Sequence, residues 1–151
     1  MERLRNTLIL LLVAGIPAAA PPFFATAPKL CFTAGSITYE LANRAPDIRV
    51  RIDAAHPDLR IQLVDDVESA DFALVDDVGA GDACGAAGTV RRVGIVDDDS
   101  AAEVSISVSR EGSDSDLKLY VHSARFGHRE AAALFAAMRH HQDRTALAQA
   151  R

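Results

Sequence analysis

Carboxylates are the reactive groups this chain supplies most freely, and they are not spread evenly. Between Val64 and Glu103 there are eleven acids against two arginines, Arg91 and Arg92. Three short apolar runs in this stretch each end in valine followed by aspartates: Ile61-Gln62-Leu63-Val64-Asp65-Asp66, Phe72-Ala73-Leu74-Val75-Asp76-Asp77 and Val93-Gly94-Ile95-Val96-Asp97-Asp98-Asp99. Aspartates at the ends of strands can collect a hard divalent cation, which takes oxygen ligands. A seven-residue link is short for a parallel crossover, so the first two runs are expected as antiparallel neighbours with their aspartates at opposite edges. That leaves Asp76, Asp77, Asp97 and Asp98 as the candidate metal ligands. Successive side chains on a strand point to opposite faces, so each face offers fewer oxygens than the roughly 6–8 calcium prefers. The competing reading is that these aspartates solvate a rim and start turns.

Other reactive residue types form no constellation. Ser36 follows Gly35 but lacks the Gly-x-Ser-x-Gly elbow, and it suits a helix N-cap. The glycines at 79, 81 and 85 miss the dinucleotide-binding spacing, and Asp82 among them would repel a phosphate. His122 and His128 could approach each other, but zinc needs a third ligand that the sequence does not nominate. His140 and His141 are expected in the last turn of a helix, where positive charge suits the macrodipole. The expectation is therefore no catalytic residues and no cofactor beyond a possible divalent cation.

The amino terminus sets the compartment. Met-Glu-Arg-Leu-Arg precedes an apolar core from Leu8 to Ala14 and a small-residue tail ending at Ala20, with no further charge until Lys29. This order is that of a secretory signal. Pro21 and Pro28 follow the two neatest small-x-small sites and should hinder a peptidase there. An uncleaved membrane anchor is the alternative, and the membrane would be met only through this segment. The expected organisation is a signal peptide or anchor at 1–20, a Pro/Ala-rich linker at 21–28, one globular domain at 29–142 and a frayed tail at 143–151.

Export gives the two cysteines a role. An oxidising compartment favours a bond between Cys31 and Cys84, and closing a loop of this length would stabilise the fold by about 4 kcal/mol in the chain-entropy model. The formal charge is -5, and -6 once Glu2, Arg3 and Arg5 are removed. Phosphate backbones need a basic face, so nucleic acid is excluded as a partner.

The elements that must position these groups follow from periodicity. Residues 29–33 read as a strand, and Ser36 to Ala42 as a first helix. Ile48-Arg49-Val50-Arg51-Ile52 alternates strictly, as do Val104-Ser105-Ile106-Ser107-Val108 and Leu117-Lys118-Leu119-Tyr120-Val121-His122. The last two runs flank a polar segment and are expected to form a hairpin. Ala131, Leu134, Phe135 and Met138 make one apolar stripe on a second helix, about 128–141.

The expected fold class is α+β: a mixed α/β two-layer sandwich with six or seven short strands and two packed helices, after the signal or anchor helix. The expected function is that of a small non-enzymatic binding or accessory domain, periplasmic or secreted, contacting a protein or envelope component. Its alternatives are a metal-dependent protein using the four aspartates and, for location, an inner-membrane anchor with the domain outside the cytoplasm.

Overall fold

The computed structural model describes residues 30–75, 84, 88–112 and 114–150. The Leu8–Ala14 core, the proline-rich linker, Asp76 and Asp77 all lie outside these residues. Eight strands form one sheet: β1 (Cys31–Ala34), β2 (Ile37–Leu41), β3 (Ile48–Ile52), β4 (Leu59–Val64), β5 (Phe72–Val75), β6 (Thr89–Val96), β7 (Val104–Ser109) and β8 (Leu117–His122). Among the described residues one α-helix, α1 (His128–Gln149), follows. The sheet is mixed and curls into a half-barrel, which makes the fold α+β-like.

The expected first helix is a strand. Ile37-Thr38-Tyr39 is β-branched and aromatic, a composition that favours the pleated sheet. Gly35, at φ +61°, allows a two-residue turn that places Ala34 opposite Ile37 in an antiparallel hairpin. Thr38 and Tyr39 are both buried, and the Tyr39 ring stacks on Phe32 with centroids 5.4 Å apart. A capping propensity at Ser36 is overridden by this burial.

The strand order is β1-β2-β6-β3-β7-β4-β8-β5. Apart from the β1–β2 hairpin, every pairing is parallel. Two runs of chain, β2 to β5 and β6 to β8, are thus interleaved like the fingers of two hands. The expected β7–β8 hairpin does not form, because β4 lies between those strands. Likewise β4 and β5 are not antiparallel neighbours; both run parallel to β8, one on each side of it.

The physical reason is stagger. Val104 starts β7 opposite Val50, the third residue of β3; Leu59 starts β4 opposite Ile106, the third of β7. Leu117 starts β8 opposite Ile61, and Phe72 starts β5 opposite Leu119, by the same rule. From β3 to β5 across the sheet each strand therefore begins two residues further along than its neighbour, β3 itself starts opposite the fifth residue of β6, and next-but-one strands meet end to start. Leu41 and Ile48 flank the same residue, Val93, and Ile52 and Leu59 flank Ile106. A parallel connection usually needs a dozen residues because the chain must return along the sheet. Here it only steps across one strand, so links 42–47, 53–58, 65–71, 97–103 and 110–116 suffice.

These links cross the face opposite the helix. Val93 is buried in the core, so Gly94 points the other way, where link 42–47 passes over it. A Cβ at Gly94 would lie 2.8 Å from both Cβ and Cγ of Pro46. Under link 97–103 lies Arg51, whose Nη1 donates to the Asp97 carbonyl oxygen and whose Nε is 3.2 Å from the Asp99 carboxylate. Ser105 sits under link 53–58 and Gln62 under link 110–116.

The other face holds the core. Val50, Ile61, Val93, Ile106 and Leu119 are almost wholly buried, and α1 packs against strands from β1 to β8. All eight residues from Ala131 to Met138 are buried, although a one-sided apolar stripe is the expectation. Eight residues exceed two helical turns, so no side of this stretch faces water, as in a helix enclosed all round. Five of the eight are alanines, which let strand backbones approach closely on every side. Phe135 anchors the far end against Phe72, with ring centroids 4.7 Å apart. The helix then runs on to Gln149, through the residues expected to fray.

A Gly94→Ala variant is expected to lower stability by about 1–3 kcal/mol through overpacking against Pro46. Urea denaturation should show a lower midpoint with an unchanged slope; an unchanged midpoint would refute the crossing contact.

Candidate functional site

Stagger leaves a specific problem at every strand start. Where a strand begins part-way along its neighbour, the neighbour's residue just before the first paired one has a backbone N–H with no ladder partner. In five places an acid immediately before the strand fills that vacancy. The Asp58 backbone N–H donates to the Ser105 carbonyl at 2.8 Å, and its carboxylate accepts the Ser105 N–H at 2.8 Å. Asp47 does the same with Arg92, Asp71 with Lys118, Glu103 with Arg49 and Asp116 with Arg60. The carboxylate acts as a surrogate carbonyl. Four of these acids also meet the side chain of the same partner: the Ser105 hydroxyl donates to Asp58 at 2.7 Å, Arg92 is 3.7 Å from Asp47, Arg49 is 3.5 Å from Glu103 and Arg60 is 3.9 Å from Asp116.

The valine-aspartate pairs have a second structural use. Asp66 caps a short 3-10 turn (Val67–Ser69) by accepting the Glu68 N–H at 3.2 Å. Asp98 caps the equivalent turn (Asp99–Ala101) by accepting the Ser100 N–H at 2.9 Å and the Ser100 hydroxyl at 2.8 Å. In both cases the turn delivers the chain to the next clamping acid, Asp71 or Glu103. The Asp98 carboxyl is held below the usual carboxylate range chiefly by the Ser100 N–H, then by its hydroxyl.

This accounts for Asp97 and Asp98 differently from the metal expectation. Asp98 is occupied with Ser100. The Asp97 side chain is fully exposed, 4.0 Å from the Arg51 guanidinium, which also pairs with Asp99. A cation arriving here would compete with a fixed positive charge. Among the described residues no group of three or more His, Cys, Asp or Glu side chains is arranged to hold a metal ion. Asp76 and Asp77, the other two expected ligands, lie outside those residues. His128 meets Arg110 across 3.4 Å, and the Tyr120 and His122 rings stack at 6.3 Å.

Cys31 and Cys84 form a disulfide with Cα atoms 5.6 Å apart across a sequence separation of 53. It ties the first strand to the segment that joins the two interleaved runs. The bond points to an oxidising, extracytoplasmic environment. Among the described residues no helix is long and apolar enough to cross a membrane.

Uncommitted chemistry gathers elsewhere. A groove of about 370 Å³ lies between the second half of α1 and the starts of β3 and β7. Its helix wall is His140, His141, Arg144, Thr145 and Ala148; its sheet wall includes Asp47, Arg91 and Glu103. Arg91 shares the inward parity of Val93 and sits opposite Tyr39 in register, while the phenol of Tyr39 is pushed up by burial, partly offset by the Arg91 charge. Arg49, Arg51, Arg60, Arg92, Arg110, Arg129 and Arg139 each have a carboxylate partner. Among the described residues no carboxylate pairs with Arg44, Arg91 or Arg144, and of these Arg91 and Arg144 line the groove. Moreover, Arg91 Nε and His140 Nε2 are buried with no hydrogen-bond partner.

The macrodipole does not explain these cations. It acts within the last turn of a helix, and α1 continues past His140 and His141 to Gln149, with no basic residue in its last turn. Sequence reasoning missed the groove because Arg144 falls in the tail expected to fray and Arg91 lies outside the apolar run that begins at Val93. No local pattern joins residues 47, 91, 103 and 144; only the interleaving does. Comparison with protein-family models, with curated proteins and with solved structures finds no match to this chain.

Two outcomes are expected. Asp58 is held below the usual carboxylate range first by the Ser105 hydroxyl and then by its N–H. A carboxyl whose folded pKa is depressed adds stability above its unfolded value, about pH 4, and that stability is lost as pH falls through the folded value. Asp58→Ala should therefore cost about 1 kcal/mol at neutral pH, a figure reduced for its exposure. Its deficit relative to the parent, read by urea titration, should shrink as pH falls below about 4; a deficit independent of pH would refute the charged clamp. In thermal melts, millimolar calcium should leave the midpoint where EDTA leaves it, and a rise of several degrees would restore the metal reading.

Proposed function

We propose that this protein is a small extracytoplasmic binding or accessory domain, exported by its N-terminal signal and acting without catalysis through contact with a protein or envelope component. The observation that carries the reading is how charge is allotted. Five strand-starting acids and the Asp98 cap are committed to backbone N–H groups, and seven arginines are committed to carboxylates. The groove between α1 and the sheet keeps two guanidiniums uncommitted. Concave sites with a few convergent polar groups are where ligands bind, and this one is built on a helix and strand starts rather than on long loops. The disulfide supports the compartment, since it bridges the link between the two runs and would be reduced in the cytosol.

The test places a photo-activated cross-linking residue at Ala148, in the groove, and in a second variant at Ser107, on the far side of the sheet. Irradiation of intact cells should yield a discrete adduct with an envelope component from position 148 and none from 107. No adduct from 148, or equal adducts from both, would overturn the proposal.

A further inference from the structure

We infer that the groove binds a small organic oxyanion, a phosphate monoester or a carboxylate, held by the guanidiniums of Arg91 and Arg144 and by His140. This rests on the binding-domain reading and names the ligand class of its site.

Three observations converge on the same atoms. Arg91 and Arg144 line the groove without carboxylate partners, in a chain whose other groove-side acids are engaged. Glu103 accepts the Arg49 backbone N–H and meets its guanidinium, while Asp47 does both for Arg92. The acids in the wall are thus consumed by the sheet and leave the arginines unneutralised. Arg91 Nε and His140 Nε2 are sealed from solvent with no partner. A buried donor left unmade is costly, and native proteins rarely keep one without a reason. Two from opposite walls, one on β6 and one on α1, belong to residues lining the same cavity. An acceptor-rich group that draws these two side chains toward the groove would satisfy both.

Oxyanions fit that description chemically. Guanidinium presents planar paired donors that match the two oxygens of a carboxylate or phosphate. An imidazole Nε2–H and the Arg91 Nε–H would supply further donors from the sides. About 370 Å³ is at the small end of the range of ligand pockets, so the anionic group can carry an organic body. The Thr145 hydroxyl donates to the His141 carbonyl, and its oxygen remains able to accept from a hydroxyl on that body.

Isothermal titration of the oxidised protein with inorganic phosphate and, separately, with succinate tests the proposal and tells the two sources apart. Saturable heat with at least one probe is expected. Arg144→Gln should weaken it at least tenfold, and Arg91→Gln should do so as well. Arg144 stands on the exposed half of the helix, so its variant keeps the test decisive if Arg91→Gln fails to fold. Arg110→Gln, a cation outside the groove paired with Asp65, should leave binding unchanged. No saturable heat with either probe, binding that survives Arg144→Gln, or equal weakening by Arg110→Gln would overturn the inference. None of those results would remove an adduct cross-linked from position 148, so the two proposals fail separately.

Discussion

Everything in this fold depends on the stagger between neighbouring parallel strands from β6 to β5. It makes six- and seven-residue links sufficient, lets two runs of chain interleave, and tilts the sheet into a half-barrel that encloses a helix. It also orphans one backbone N–H per strand start, and an orphaned N–H in a closing sheet costs free energy comparable to a lost hydrogen bond. Asp47, Asp58, Asp71, Glu103 and Asp116 meet that cost with a carboxylate one residue ahead of the strand. A backbone carbonyl could serve equally well, but the stagger places none there. The acidity of this chain is therefore largely architectural.

Much of the sheet was legible in the amino-acid sequence. Alternation at Ile48–Ile52, Val104–Val108 and Leu117–His122 marks strands whose inward residues do form the core, and the Cys31–Cys84 pair is bonded. The aspartate pairs were visible too, but their use was not. The informative acids were the ones in front of the apolar runs, Asp47-Ile48, Asp58-Leu59, Asp71-Phe72, Glu103-Val104 and Asp116-Leu117, whereas attention falls naturally on the valine-aspartate ends. Topology was misread for a physical reason. The rule that short links mean antiparallel neighbours assumes strands in register, and stagger removes that assumption. At Ile37–Leu41 burial of Thr38 and Tyr39 outweighed a capping signal, and at Ala132, Ala133, Ala136 and Ala137 small side chains hid burial that hydropathy periodicity could not resolve.

The groove illustrates the limit of local reading. Its residues come from the link before β3, the start of β6, the link before β7 and the outer half of α1. They share no spacing, and each alone has an ordinary explanation. The groove's two arginines share a negative feature: neither meets a carboxylate, although seven others in the described residues do. Such a site becomes apparent only when every charged side chain has been traced to its partner.

Interleaving has a consequence for biosynthesis. Strands β2, β3, β4 and β5 hydrogen-bond only to β1, β6, β7 and β8, never to one another. Residues 30–75 can form one β-hairpin and no other strand pairing of this sheet until the second run threads between them. Pairing of this kind is non-local and slow to nucleate. A polypeptide emerging from a ribosome would remain an open, threadable string until about residue 122 is available, and the helix that fills the half-barrel arrives last of all. Delay in folding is written into the order of its strands.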